Sequence, residues 1–252
     1  MIARITLAET RAELTKLARL PAYVIPTLAF PLAFYSFFAL AMGASRGIAG
    51  TTVPTYMLAT YGAFGVVGCA LFGFGVSVAV ERGQGWLLVK RASPMPSAAY
   101  VVAKMLSAMA FAAAVVVLLC SLGAIAGGVR LEPLAWLELF VALVLGAIPF
   151  CALGLAIGSL AGPNSAPALV NLVYLPMSFA SGLWIPIEGL PPAVARIAPF
   201  LPTYHLGQLA LGTVGAGHGA AGTHIAVMAV WALAAAAAAA YGLRRDEGRT
   251  YG

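Results

Sequence analysis

Six long apolar runs, separated by short polar interruptions, set the plan of this chain. They lie at about 22–43, 54–80, 98–126, 133–160, 165–185 and 223–243. A helix needs roughly 20 predominantly apolar residues to cross a bilayer, so the pattern predicts six transmembrane helices in one membrane domain covering 1–252. The polar interruptions carry structure of their own. Residues 3–19 gather Leu7, Leu14 and Leu17 with Ala3 and Ala18 on one side of a helical wheel and the charges on the other, which predicts a helix lying in the membrane interface. Pro21 ends that helix for want of an N–H, and Pro26 and Pro31 inside the first run predict a kinked span. Residues 186–222 are too interrupted by proline to span and too apolar for an aqueous loop. Two short helices at about 191–199 and 203–213, re-entering the outer leaflet, reconcile these facts, with Trp184 and Tyr204 as interfacial anchors. The fold class is therefore all-α integral membrane.

Composition agrees with this reading. Hydrophobic residues make up 62% of the 252 and charged residues 9%, whereas a soluble domain carries about 25% charge. The formal charge of +6 would suit a nucleic-acid partner, but its distribution points elsewhere. Eleven of the fourteen Lys and Arg residues fall in 1–20, at or beside 81–104, or after 243, leaving Arg46, Arg130 and Arg196 for the opposite side. By the positive-inside rule both termini and the 81–97 stretch face the cytoplasm, and no nucleic-acid role is expected. The opening stretch is too long and too acidic for a signal-peptide n-region, so the first span reads as uncleaved. Cys69, Cys120 and Cys151 sit singly in apolar runs and read as packing residues; no metal site is expected.

Small and polar residues mark particular helix faces. Gly154, Gly158 and Gly162 recur at intervals of four in the fourth run, a groove suited to helix packing within the subunit or to a dimer seam. Asn171, Tyr174, Ser178 and Ser181 form a polar stripe on the fifth, which must face protein or water. It reads either as interhelical hydrogen bonding or as the lining of a translocation path. The carboxylates fall in loops, tails or span ends, which disfavours coupling to an ion held at mid-membrane. "GASRG" at 43–47 formally matches a nucleophile elbow at Ser45, with His205, His218 or His224 as base. That intramembrane protease is a weak alternative, since the motif requires a strand-to-helix turn. None of Lys16, Lys90 and Lys104 follows a glycine, so there is no phosphate-binding P-loop, and the chain is not expected to be an enzyme.

The densest polar interruption is "ERGQGWLLVKRASPMPS", 81–97. Gly83 and Gly85 permit a sharp reversal, Trp86 to Val89 give a short apolar helix, Lys90 and Arg91 suit its carbonyl end, and Pro94 and Pro96 break it before the third span. The result is a stiff two-faced helix on the cytoplasmic side.

This segment resembles the coupling helix of ABC-transporter permeases of the type-two exporter family, with Glu81, Arg82 and Gly85 at the E, R and G of that family's motif, Trp86 in place of its usual Thr, and Pro94 as the closing proline. "SGLWIPIEGLPPAVARIAPFLPTYHLGQL" is similar to the same family's outer segment. The resemblance implies a membrane subunit that pairs with a second permease chain, in a homo- or heterodimer, and with two nucleotide-binding ATPase subunits that hold ATP and Mg; this chain itself would bind no cofactor. It implies that Glu81, Arg82, Gly83, Gly85, Trp86, Lys90, Arg91 and Pro94 form the ATPase-coupling element. The path would then run along Asn171, Tyr174, Ser178 and Ser181, and the outer gate would lie at Trp184, Pro202, Tyr204 and His205. Without charges in the spans, the expected cargo is a small amphipathic or hydrophobic compound such as a drug, antibiotic or lipid-like molecule. An ATP-independent secondary transporter or channel is the alternative.

Overall fold

The computed structural model describes residues 2–41, 47–86 and 95–247. Helix α1 (Ile2–Ala18) precedes α2 (Pro21–Phe34), which runs through both internal prolines and continues as a π-helical turn, Tyr35–Leu40. A two-residue hairpin, β1 (Gly47–Ile48) and β2 (Thr51–Thr52), follows. Its turn residues Ala49 and Gly50 both have positive φ, 48° and 77°, the twist that a tight hairpin favours. This hairpin is the departure from an all-helical expectation. Thr52 then caps α3 (Val53–Ala70) by accepting from the Thr55 amide at 3.4 Å.

Helix α3 passes through a π-helical stretch, Leu71–Val76, into α4 (Ser77–Gly83). Every residue of α3 is buried. A helix apolar on all sides belongs at the centre of a bundle, and around it lie α2, α5 (Ser97–Ile125), α6 (Pro133–Leu145), α7 (Ile148–Leu160) and α8 (Ala166–Ala180). The outer segment forms α9 (Pro192–Ile197) and α10 (Pro202–Thr213), and α11 (Ala221–Glu247) packs along α7. Cys69 and Cys151 are buried and all three cysteines are free thiols.

Among the described residues five stretches are long and apolar enough to cross a membrane: Pro21–Ala39, Val53–Gly83, Ala98–Ile125, Pro133–Leu160 and Ala221–Arg245. The fifth expected span is shorter than its apolar run. Helix α8 has 15 residues, about 22 Å at the helical rise. It stops at Ala180 because the chain turns at Gly182, whose φ of +77° is left-handed.

Helix α1 also departs from expectation. It turns Thr10, Glu13 and Leu17 toward the protein, while Leu7 is 71% exposed. The protein-facing stripe thus includes a carboxylate expected on the solvated arc, and of the three leucines Leu17 is buried, Leu14 half-buried and Leu7 exposed.

The Gly-rich face of α7 packs inside the chain. A Cβ on Gly158 would lie 2.4 Å from the Gly75 carbonyl oxygen, and one on Gly154 would lie 3.1 Å from the Gly75 nitrogen. Gly162 meets only ordinary contact, Ser165 Oγ at 3.5 Å from such a Cβ.

Candidate functional site: a buried charge cluster at one end of the bundle

Helices α1, α4 and α5 meet at one end of the bundle, and the charges on their facing sides meet there too. Lys104, about two turns into α5, is only 1% exposed. An ammonium so placed is stable only if its charge and its donors are matched. Its Nζ donates to Glu81 Oε1 at 2.9 Å, to Glu13 Oε2 at 3.1 Å and to Ser77 Oγ at 2.9 Å. Glu13 and Glu81 are themselves 4% and 7% exposed. Lys16 completes the group, 2.8 Å from Glu13 Oε2 and hydrogen-bonded to Glu81. One turn before Lys104, Tyr100 donates to Glu81 Oε2 at 2.6 Å, and its ring centre lies 5.2 Å from the Lys104 ammonium. Ser107 adds a tie to α1, donating to the Thr10 carbonyl at 3.3 Å.

Among the described residues the cluster holds two ammonium groups and two carboxylates. Burial works against the charged form of Lys16, but Glu81 and Glu13 beside it outweigh that and hold its pKa above the ordinary lysine value. The cluster joins the interfacial helix to two spans through charge-assisted hydrogen bonds, the strong class of such bonds. A buried ionic group of this kind tolerates little misplacement, since any one member left alone is an uncompensated charge.

Arg82 points the other way. Its guanidinium donates to the Ser159 carbonyl and, at 2.6 Å, to the Ala161 carbonyl. These carbonyls end α7, where a cation complements the helix dipole. Gly83 lies so close to the following turn that a Cβ there would sit 2.5 Å from Pro163 Cγ, and Gly85 turns the chain with a φ of +76°. The E-R-G-x-G run therefore fastens four elements within five residues. Glu81 and Arg82, expected on a docking surface, are turned into the chain instead. Trp86 is exposed. Lys90, Arg91 and Pro94 lie outside the described residues, as does Ser45.

The polar stripe on α8 divides. Asn171 is exposed and donates to the Pro167 carbonyl at 3.1 Å. Tyr174 is buried, stacked on Phe64 with ring centres 4.8 Å apart, and donates to the Phe64 carbonyl at 2.8 Å. Ser181 hydrogen-bonds Thr203 Oγ1, and Ser178 is fully buried with an unpartnered hydroxyl. Of the stripe, Tyr174 and Ser181 make hydrogen bonds to other helices of the chain, Ser178 is buried and Asn171 is exposed.

The expected gate residues fall in two groups. Trp184 stacks on Phe34 at 5.8 Å between ring centres, edge-on to Phe64 and Phe179. It borders an apolar crevice of about 310 Å³ with Phe34, Phe38, Met57, Tyr61 and Ile185. Pro202, Tyr204 and His205 open α10 instead, where His205 faces His224 of α11. Among the described residues no group of three or more His, Cys, Asp or Glu is placed to hold a metal ion.

The sequence reading missed Glu13, Lys16, Tyr100 and Lys104 as one site. Lys104 was the available signal, because a lysine inside an apolar helix demands partners.

Apolar helices of spanning length around a central buried helix define a multi-pass membrane protein. Sequence comparison agrees. Residues 6–214 match the profile of the ABC-2 type transporter family, and the chain belongs to that family. It is similar to "Putative transport permease YvfS" of Bacillus subtilis (strain 168), 29% identical over 203 residues that cover 78% of this chain and 80% of that protein.

Proposed function

We propose that this chain is the membrane subunit of an ATP-driven exporter, in which separate ATPase subunits bind ATP and Mg and drive it through the 81–94 segment. Family membership implies ATPase partners; two such subunits and a second permease chain complete the assembly in this reading. The observation that carries it is the buried Glu13, Lys16, Glu81 and Lys104 cluster, which links the interfacial helix and two spans beside the exposed Trp86. In this reading docking falls to Trp86 and the residues after it, including Lys90 and Arg91. Glu81 and Arg82 then act inside the chain, passing the displacement to α1, α5 and the end of α7. A coupling element requires two packings biased by nucleotide state, and the cluster makes the joined helices move as one body.

The topology has six spans, α8 with the residues after it serving as the fifth and α9 and α10 re-entering the outer leaflet. Both termini lie in the cytoplasm of a prokaryotic cell. The charge-poor spans favour a small amphipathic or hydrophobic substrate. Apart from Glu138 and the last-turn residues Arg244 and Arg245, the Lys, Arg, Asp and Glu residues in the span stretches belong to this joint. The apolar crevice beside Trp184 favours the same cargo class.

Affinity purification from the native membrane tests the reading. An ATPase subunit is expected to accompany the chain and to be released by the pair Trp86→Ala and Arg91→Ala. Lys104→Met is expected to retain the ATPase while transport falls relative to hydrolysis. Absence of any ATPase, under conditions that preserve other transporter complexes, would turn the reading to an autonomous transporter.

A further inference from the structure

Two imidazoles meet where the outer segment joins the last long helix. His205, on the first turn of α10, is buried, and its Nδ1 lies 2.8 Å from Nδ1 of His224 at the start of α11. The far nitrogen of each ring faces a backbone carbonyl: His205 Nε2 is 2.9 Å from the Pro199 oxygen, and His224 Nε2 is 2.7 Å from the His218 oxygen. A carbonyl oxygen only accepts, so each Nε2 carries a hydrogen. A neutral imidazole has one N–H, which leaves both Nδ1 atoms as bare acceptors. Two lone pairs at hydrogen-bond distance repel. One added proton between them turns the contact into a charge-assisted N–H···N bond.

We propose that His205 and His224 form a one-proton binding site, and that its occupancy closes the joint between the outer segment and the last long helix. The proton is bound by two rings from different elements, so neither ring alone has the site. When it is empty the geometry is unfavourable, and one ring must swing away. Burial pushes His205 below the ordinary imidazole range, while the Pro199 carbonyl raises it and His224 lowers it. These effects oppose a second proton and place filling of the site on the acid side of neutrality. Imidazoles are the side chains whose ordinary pKa allows such a change between about pH 5 and about pH 8.

The surroundings add few other charges. Tyr204 sits with its ring centre 5.3 Å from His205 and 6.2 Å from His224. The exposed His218 side chain lies 3.9 Å from Glu188. On the packed neighbours, α3 presents Tyr56 and Tyr61, and α6 carries Glu138, which is exposed. Within this set His218, against Glu188, is the third imidazole of the chain. Gln208 holds the His218 backbone amide at 2.7 Å, so the carbonyl that His224 uses is fixed independently of the His218 side chain.

The chain has three histidines, so the variant His218→Asn removes the interfering pair and leaves two rings to observe. The full chain with nitrogen-15 histidine, in lipid bilayers, is examined by solid-state NMR at about pH 5 and about pH 8. The expected result at the acid value is protonated Nε2 on both rings and a through-bond coupling between the two Nδ1 atoms. At the alkaline value the coupling is lost and both Nδ1 atoms show the shift of a bare acceptor. A neutral pair in which one ring carries its hydrogen on Nδ1 overturns the proposal, as does the absence of coupling at both pH values or its persistence unchanged at the higher one. As a second measurement, thermal midpoints of His218→Asn with and without His224→Gln should differ at about pH 5 and converge at about pH 8; a gap independent of pH counts against the site. Neither readout depends on transport, ATP or a partner subunit.

Discussion

Replacing Lys104 by methionine removes a positive charge from a group of two cations and two anions. Methionine has nearly the volume of the lysine stem, so packing in α5 is kept and the electrostatic loss is isolated. Glu13 and Glu81 then keep Lys16 but lose their buried cation partner. Breaking a buried ion pair from one side costs about 3–5 kcal/mol. For a chain of this size each kcal/mol lowers the thermal midpoint by roughly 2–4 °C, so a fall on the order of 10 °C is expected for the protein in lipid nanodiscs. Lys16→Met is the control: its side chain is 39% exposed, water screens its pairs, and a loss of about 1 kcal/mol or less is expected. The double variant Lys104→Met with Glu13→Gln removes one charge of each sign, leaving Lys16 against Glu81. It should regain more than half of what Lys104→Met lost, a coupling that a double-mutant cycle reads directly. A thermal midpoint for Lys104→Met within error of the parent, or a double variant no better than Lys104→Met alone, would refute the account of the cluster.

Three further substitutions probe the interior. Tyr174→Phe removes the bond to the Phe64 carbonyl but keeps the stacking on Phe64, so a loss of about 1 kcal/mol in thermal stability is expected. Ser178→Ala should leave stability unchanged or raise it by up to about 1 kcal/mol, because its hydroxyl is buried without a partner and a buried polar group without a bond carries a desolvation cost. Gly158→Leu cannot be accommodated where a Cβ already meets the Gly75 carbonyl at 2.4 Å. Separation of α7 from the neighbouring π-helical segment is expected, seen as loss of folded protein in detergent by size-exclusion chromatography, whereas Gly162→Ala at the looser end should behave as the parent.

Legibility followed the physics of each signal. Helices α5, α6 with α7, and α11 match their apolar runs closely, since in a bilayer continuous apolarity leaves the backbone little choice but a helix. The two short helices of the outer segment were readable from proline spacing, because proline suits a first turn and breaks an interior. Helix α8 was overextended, as its apolar run continues through Leu183 and Trp184 past a turn that Gly182 makes by its φ. The motif at 81–85 was recognisable as an important segment, yet the direction of Glu81 and Arg82 was not. A helical wheel gives angles between side chains but not which neighbour lies at each angle. The stripe on α8 is similar: its polar face was plain, while the choice between a path and interior bonds depends on where Phe64, Met177 and Thr203 stand.

By itself, the sequence determined that this chain lives in a membrane, where its long helices begin and end to within a turn or so, and that 81–97 and 186–222 are special. Those properties depend on local hydropathy, proline and glycine, which act over a few residues. Only the tertiary structure decided that Glu13, Lys16, Glu81 and Lys104 form one cluster, and that His205 meets His224 across Nδ1 atoms 2.8 Å apart. The ion pair of Lys104 with Glu13 joins residues 91 positions apart, and its energy depends on ångström-scale distances that no local pattern encodes.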